Sequence, residues 1–427
     1  MKKLLTFTAL GTILLAGNAM AAGFHLREQS AAAQGNAFAG ATAGAENNSY
    51  AYFNAAGLTR QKGTQVNLGA TYIVPRAEAG NVEDTAGNRE QDINNIVHAA
   101  WAPNGTISHQ IDDKLTVGLG LNVPFGMITK YDSEWVGGDH GVTSKVITAT
   151  TTPMAAYKVT DKLSVGAGLP IQYVKARLTN TAARGAADTA LKGDTVDVGY
   201  QLSALYELNE GTRFGINYRS EINHKLKGDI SSANAASVPG LGGVLDPVLN
   251  QDISAALDTP AMLSVGAYHQ INEKWAVMAE WQRVFWSSFK SLDIMGDDYH
   301  MDLTGDVAGG GLISSTRENW RDTDFFALGA SYQIDNQWKL RLGVAYDQTA
   351  VKKADRTPRI PDTDRFWYSA GLNYQYSENL TFDVAYTVIQ AKDGSVDLPD
   401  SGGMQRGVHA EYNNSVKLFG LSLNYKF

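Results

Sequence analysis

The last nine residues, Phe419-Gly-Leu-Ser-Leu-Asn-Tyr-Lys-Phe427, constrain the fold more than any other segment. Successive side chains of a strand point to opposite sides. Phe419, Leu421, Leu423, Tyr425 and Phe427 therefore share one face, and Gly420, Ser422, Asn424 and Lys426 share the other. An apolar face that runs to a terminal aromatic suits a β-barrel wall in lipid, where aromatic girdles mark the membrane boundaries. An amphipathic edge strand of a soluble sheet shows the same alternation, so the remaining chain has to decide between the two.

The other end points to export. Lys2 and Lys3, the apolar run 4–16 and the small-x-small sequence Ala19-Met20-Ala21 read as a cleavable signal peptide over residues 1–21, with the mature chain expected to begin at Ala22. No later stretch approaches the roughly 18 uninterrupted apolar residues of a spanning helix. The 427 residues contain no cysteine, which excludes disulfide frameworks, thiolate metal sites and cysteine nucleophiles. A net charge of −8, with no Lys/Arg cluster alternating with aromatics, argues against a nucleic-acid partner. The 8 histidines are scattered outside any HExxH or GxSxG arrangement. The sequence therefore implies no cofactor, no metal site and no enzymatic activity.

One local pattern recurs six times: two or three turn formers rich in Asp, Asn and Glu, then a strand of alternating polarity. It appears at Ile111-Asp-Asp-Lys114, Val159-Thr-Asp-Lys162, Leu208-Asn-Glu-Gly211, Ile271-Asn-Glu-Lys274, Ile334-Asp-Asn-Gln337 and Tyr376-Ser-Glu-Asn379. After the fifth, Trp338, Leu340, Leu342, Val344 and Tyr346 face one way, and Lys339, Arg341, Gly343 and Asp347 face the other. An Arg or Lys facing mid-bilayer lipid costs about 2–4 kcal/mol, so the charged row is expected to look into a lumen. The intervening segments 126–142, 179–194, 229–258, 293–315, 352–361 and 392–408 are long and rich in Gly, Asp, Ser and Pro. Tight turns on one rim and long loops on the other match a membrane barrel. Six turns join six strand pairs, and one strand at each end makes fourteen. The expected fold is all-β, a 14-stranded antiparallel transmembrane β-barrel over 64–427.

Clear alternation begins near Gln65, and residues 22–63 before it are rich in Ala, Gly, Asn and Gln. Small residues let backbones pack closely, and amides satisfy unpaired backbone groups. A barrel of this size leaves an open lumen unless something fills it. The segment is expected to fill the lumen as an N-terminal hatch, or else to hang as a periplasmic arm.

Five segments then resemble one family: Gly23-Phe24, the run 29–40 ending Gly35-Asn-Ala-Phe-Ala-Gly40, Tyr52-Phe-Asn-Ala-Ala-Gly-Leu58, Tyr218-Arg-Ser-Glu221, and Ile360-Pro-Asp-Thr-Asp-Arg-Phe-Trp-Tyr-Ser-Ala-Gly371. Together they look like the FadL family of outer-membrane transporters for long-chain fatty acids and, in one branch, aromatic hydrocarbons. The resemblance implies a fourteen-strand barrel with its hatch in the lumen. It places the first hatch residues, Ala22, Gly23 and Phe24, beside a kink in the third strand that opens the wall sideways. The family's hatch carries Asn-Pro-Ala where this chain has Asn54-Ala55-Ala56, so any hatch role falls to Asn54 without proline's restriction. The C-terminal strand also resembles the signature read by the barrel-assembly machinery. The implied location is the outer membrane of a Gram-negative bacterium, with membrane lipid and lipopolysaccharide as partners.

Candidate site residues follow. Pro124, Phe125 and Gly126 fall in the third strand: proline has no N–H to donate and glycine permits a bulge, so they form the implied opening or merely end the strand. Phe24 either fills the pocket until substrate displaces it or serves packing alone. Leu241, Leu245, Val248 and Leu249 in a long loop either catch apolar substrate or form a small packed helix. Arg177, Arg317 and Arg321 are candidate cations for a fatty carboxylate, or members of structural ion pairs. Neutral monoaromatic hydrocarbons remain as alternative substrates, and a general diffusion porin as an alternative function.

Overall fold

A computed structural model describes residues 23–182, 185–301, 307–401 and 405–427. The signal peptide expected over 1–21 and the candidate Ala22 lie outside the described residues.

The six tight turns share one closing device. Asp112 Oδ1 accepts hydrogen bonds from the amides of Lys114 (2.7 Å) and Leu115 (2.8 Å). Thr160, Asn272, Asp335 and Ser377 accept the equivalent pair in four other turns, and Asn209 accepts from Gly211 in the remaining one. A short polar side chain bonded to backbone two and three residues on reverses the chain tightly. The strands on either side must then pair antiparallel.

Fourteen barrel strands result. They are β1 Thr64–Asp84, β2 Ala100–Gln110, β3 Leu115–Asn122 with Gly126–Lys130, β4 Thr143–Lys158, and β5 Leu163–Gly168 with Ile171–Ala182. β6 is Ala187–Val198 with Gln201–Asn209, β7 Thr212–Arg219 with Lys225–Ser231, β8 Gln251–Ala256 with Met262–Gln270, and β9 Trp275–Val284 with Ser291–Met301. β10 is Val307–Arg317 with Thr323–Gln333, followed by β11 Trp338–Asp347, β12 Arg365–Gln375, β13 Leu380–Ala391 and β14 Val408–Lys426. β1 pairs with β14 from Gln65↔Lys426 to Asp84↔Val408, which closes the wall.

Outward residues are apolar and uncovered by protein, with Leu68, Leu328, Leu342 and Leu421 each more than half exposed. Two aromatic girdles bound them. Trp338–Tyr374 and Trp275–Tyr332 stack beside the tight turns, at 4.3 and 4.7 Å. Tyr346–Phe366 and Tyr386–Phe419 meet farther up, at 5.1 and 4.9 Å. From Trp338 to Tyr346 is eight residues, about 20 Å of height at the usual rise and tilt, which matches an apolar membrane band.

Residues 24–58 are buried except Glu46, which is partly so. They form two single-turn helices, α1 Ala31–Gln34 and α2 Ala41–Gly44, and two 3-10 turns, Asn48–Tyr52 and Ala55–Arg60. Amides tie them to the inner wall: Asn36 Nδ2 donates to Ala330 O (2.8 Å) and Leu342 O (3.1 Å), and Asn48 Nδ2 to Gln65 O and Thr106 O (both 3.0 Å). Glycines on the inward face admit this close approach. A Cβ on Gly343 would lie 2.1 Å from the Asn36 backbone, and one on Gly215 2.0 Å from Thr42 O. The row Lys339, Arg341, Asp347 points inward. Glu46 lies 3.2 Å from Lys339 and 2.7 Å from Arg341, and Asp383 takes the other Arg341 nitrogen at 2.7 Å.

The strands run higher than alternation alone suggests. Parts of 126–142, 179–194, 229–258, 293–315 and 392–408, expected to be loop, are strand, the last of these as Gly394–Leu398 alongside β14. Above the membrane the outward face turns polar, so the polarity contrast fades while the ladder continues.

Candidate functional site

β3 breaks its ladder at the proposed kink. It pairs with β2 only as far as Gly105↔Leu121. Against β4, Asn122↔Thr150 is followed by Gly126↔Ile147, so that residues 123–125 lie opposite residues 148–149, a one-residue bulge. Thr148 closes it, with its Oγ1 accepting from Phe125 N (3.0 Å) and donating to Phe125 O (2.6 Å).

The edge that β2 leaves unpaired is taken by the N-terminal segment. Leu26 N donates to Pro124 O (2.7 Å) and Gly126 N to Phe24 O (2.9 Å). One step below, the Gln29 side chain imitates a neighbouring strand: its Nε2 donates to Val123 O (2.8 Å) and its Oε1 accepts from Val123 N (3.1 Å). The Val123 N–H and C=O, the Pro124 carbonyl and the Gly126 N–H thus find partners in residues 24–29, and Phe125 finds its partners in Thr148, as buried amides require. Gln29 was legible only as one amide among many.

Phe24 is buried and stands edge-on to Phe125 (5.7 Å between ring centroids), Trp286 (4.9 Å) and Trp320 (5.9 Å). Gly23 N donates to Asp362 Oδ2 at 3.1 Å, inside the 360–371 segment. Phe24 also lines a cavity together with Met127, Leu178, Leu191, Leu226, Phe289 and Ile360. Its charged lining residues are Lys192, Glu318 and Arg359, and a mostly apolar lining with a few polar groups is typical of small-ligand pockets.

Arg359 was not anticipated; it lies in a loop, immediately before the Ile360 segment. Its Nη1 donates to Ser144 Oγ (2.9 Å) and to the carbonyls of Thr143 and Thr179. Among the described residues no carboxylate lies in ion-pair range of it. Burial pulls its pKa down to about 10, against the opposing pull of Glu318. Burial likewise pushes Glu318 up to about 7, although Trp320 Nε1 donates to its Oε2 at 2.8 Å.

The sequence candidates are placed as follows. Pro124, Phe125, Gly126, Gly23 and Phe24 come together at the break. Asn54 sits apart, capping the second 3-10 turn through Ala56 N (2.9 Å) and donating to Thr42 O and Ala204 O. Arg177 is exposed on the outer face of β5, between the cavity-lining Ala176 and Leu178. Arg317 pairs with Asp355 (3.0 Å) and Arg321 with Asp364 (3.7 Å), both side chains half-exposed or more. Leu245, Val248 and Leu249 are buried on the helix α3, Gly242–Leu249, packed against Ile230, Ile253 and Ile294, whereas Leu241 is exposed.

A closed lipid-facing barrel whose inside is packed with chain, and which holds an apolar cavity beside a broken strand, defines an outer-membrane transport barrel. Comparison with known proteins makes this particular. The chain belongs to the family described as "Outer membrane protein transport protein (OMPP1/FadL/TodX)", whose model matches residues 12–427. It is 31% identical to the 47 kDa outer membrane protein of Pasteurella multocida strain Pm70, covering 99% of this chain and 98% of that one. It is 28% identical to the long-chain fatty acid transport protein of Escherichia coli O6:H1, covering 98% and 97%. The crystal structure of a Pseudomonas aeruginosa FadL homologue superposes with a TM-score of 0.84 at 26% identity, over 96% of this chain and 100% of that one. The protein is therefore an outer-membrane transporter of hydrophobic substrates, in a family of transporters rather than enzymes.

Proposed function

We propose that the protein takes up long-chain fatty acids, holds them in the cavity behind Phe24 with the carboxylate on Arg359, and releases them sideways past Pro124-Phe125-Gly126. The observation that carries the substrate class is Arg359: a partly buried guanidinium with no carboxylate within ion-pair distance among the described residues, beside Glu318 at the polar end of a mostly apolar cavity. A buried cation normally has an anion, and a fatty carboxylate supplies one. Its hydrocarbon tail gains about 0.8 kcal/mol per buried CH₂. The relatives named long-chain fatty acid transport proteins support the same class.

Release follows from what holds the break closed. Residues 23–63 act as the hatch, and residues 24–29 replace β2 along the kinked edge. Displacing Phe24 frees the floor of the cavity and the gap in the wall together, so substrate binding and opening are one event. A tail in the gap then faces lipid, where it is stable. The deciding experiment is uptake of labelled oleate and labelled toluene by cells with and without this protein. Dependence of oleate uptake on it, lost in Arg359→Ala, supports the reading. Equal oleate uptake with and without the protein refutes it, and dependence of toluene uptake alone moves the substrate to the hydrocarbons.

A further inference from the structure

The outer face of the same wall carries a cationic patch that the proposed carboxylate site at Arg359 does not use. Across β4, β5 and β6, Lys145 stands directly opposite Arg177, and Arg177 directly opposite Lys192. The next strand continues the row with Asp229, 3.8 Å from Lys192. One row lower, Lys175 faces Asp194, which faces Lys227. Lys145, Lys175, Arg177 and Lys227 point outward, because the residues alternating with them, Val146, Ala176, Leu178 and Leu226, line the inner cavity; Lys192, its side chain half-exposed, also borders that cavity. Among the described residues Lys145, Lys175, Arg177 and Lys227 form no ion pair.

Height is the second observation. On β5 the outward series reads Ile171, Tyr173, then Lys175, Arg177; on β6, running down, it reads Lys192, Asp194, then Val196, Val198. Val196 and Val198 are more than half exposed, as lipid-facing residues are. The cations therefore begin one step above the last apolar row, on the long-loop side of the barrel, at the level of the outer-leaflet head groups.

We propose that this patch binds the phosphates of lipid A, the bis-phosphorylated glycolipid of the outer leaflet. Like charges directly opposite on neighbouring strands destabilise a sheet, and a chain of net charge −8 concentrates such a row here. A phosphate between Arg177 and its lysine neighbours removes the repulsion, the arginine with its planar fork and the lysines as point charges. The acyl chains of the same molecule lie along Tyr173, Val196 and Val198 below. Lipid A so bound braces the outside of the wall that encloses the cavity.

The test uses the whole mature protein in detergent and counts bound lipid by native mass spectrometry. The probes are bis-phosphorylated lipid A, dephosphorylated lipid A, phosphatidylethanolamine and cardiolipin. The patch variant is Lys175→Ala/Arg177→Ala/Lys192→Ala; the control, Lys114→Ala/Lys162→Ala/Lys274→Ala, removes the same charge from the tight turns. The expected result is preference for bis-phosphorylated lipid A, weakened about tenfold in the patch variant and by added salt, and unchanged in the control. Equal retention by wild type and patch variant overturns the proposal, as does equal binding of dephosphorylated lipid A or cardiolipin. None of these readouts involves transport, so failure here leaves the fatty-acid reading standing, and the converse holds.

Discussion

Arg359 and Glu318 share the polar end of one cavity, and their chemistry makes opposite demands on a bound carboxylate. The arginine attracts it; an ionised glutamate repels it. Removing a charged hydrogen-bond donor costs about 1.5–3 kcal/mol. Arg359→Ala should therefore weaken oleate binding by roughly 10- to 100-fold in calorimetry, with toluene binding unchanged. The pH dependence has a definite sign. Glu318, raised by burial to about 7, is neutral below that pH and ionised above it, while a fatty carboxylate stays ionised across the range. Oleate affinity should hold steady up to about pH 7 and fall, by up to tenfold per unit, above it. Glu318→Gln should flatten the profile at the tighter value; a profile that still falls in that variant removes Glu318 as the cause. The three arginines proposed from sequence show which information was present. Arg177 alternates with Ala176 and Leu178, so its parity already put it on the other side of the wall from the cavity. Arg317 and Arg321 find aspartates far along the chain, and Arg359 acquires its position only when a loop folds back over β4 and β5. No local pattern records those encounters.

The break in β3 is one element built from two distant parts of the chain. Pro124 and Gly126 announce a bulge by their chemistry alone, and the six turns and the alternation of fourteen strands were legible for the same reason: each is local. What completes the break was not, because Gln29 meets Val123 across 94 positions, and an amide reveals nothing in sequence about which backbone it will imitate. The upper halves of β5 to β10 were hidden differently, since above the membrane both faces of a strand tolerate polar residues. At this scale the prediction concerns continuity. Replacing Pro124-Phe125-Gly126 by an unbroken Thr-Val-Thr sequence lets β3 extend its pairing along β2 and evicts residues 24–26 from the edge. Oleate uptake should be lost while heat-modifiable gel mobility still reports a folded barrel. Full uptake in a folded variant of this kind would sink sideways release.

Taken whole, the molecule is a wall wide enough to leak, with residues 24–58 packed inside it. Fourteen strands lie between the small barrels filled by side chains and the sixteen-stranded barrels that conduct water, so a sealed lumen requires an insert, and residues 23–63 are the one proposed. Their hold on the wall combines apolar packing, such as Phe38 on Trp367, with amides on strand carbonyls, Glu46 on Lys339 and Arg341, and backbone laid against inward glycines. That construction can be loosened without touching the lipid-facing surface. A side chain at Gly343 collides with the Asn36 backbone, and overpacking of this kind typically costs about 1–3 kcal/mol, less than the many pairings of a closed barrel. Gly343→Leu should leave the barrel folded and displace the segment. In planar bilayers the wild type should show little steady current, and the variant a persistent conductance that grows when Gly215→Leu, which collides with Thr42, is added. A wild type that conducts as freely as the double variant would mean that the lumen is open in the membrane, and that the chain works as a diffusion pore rather than a sealed transporter.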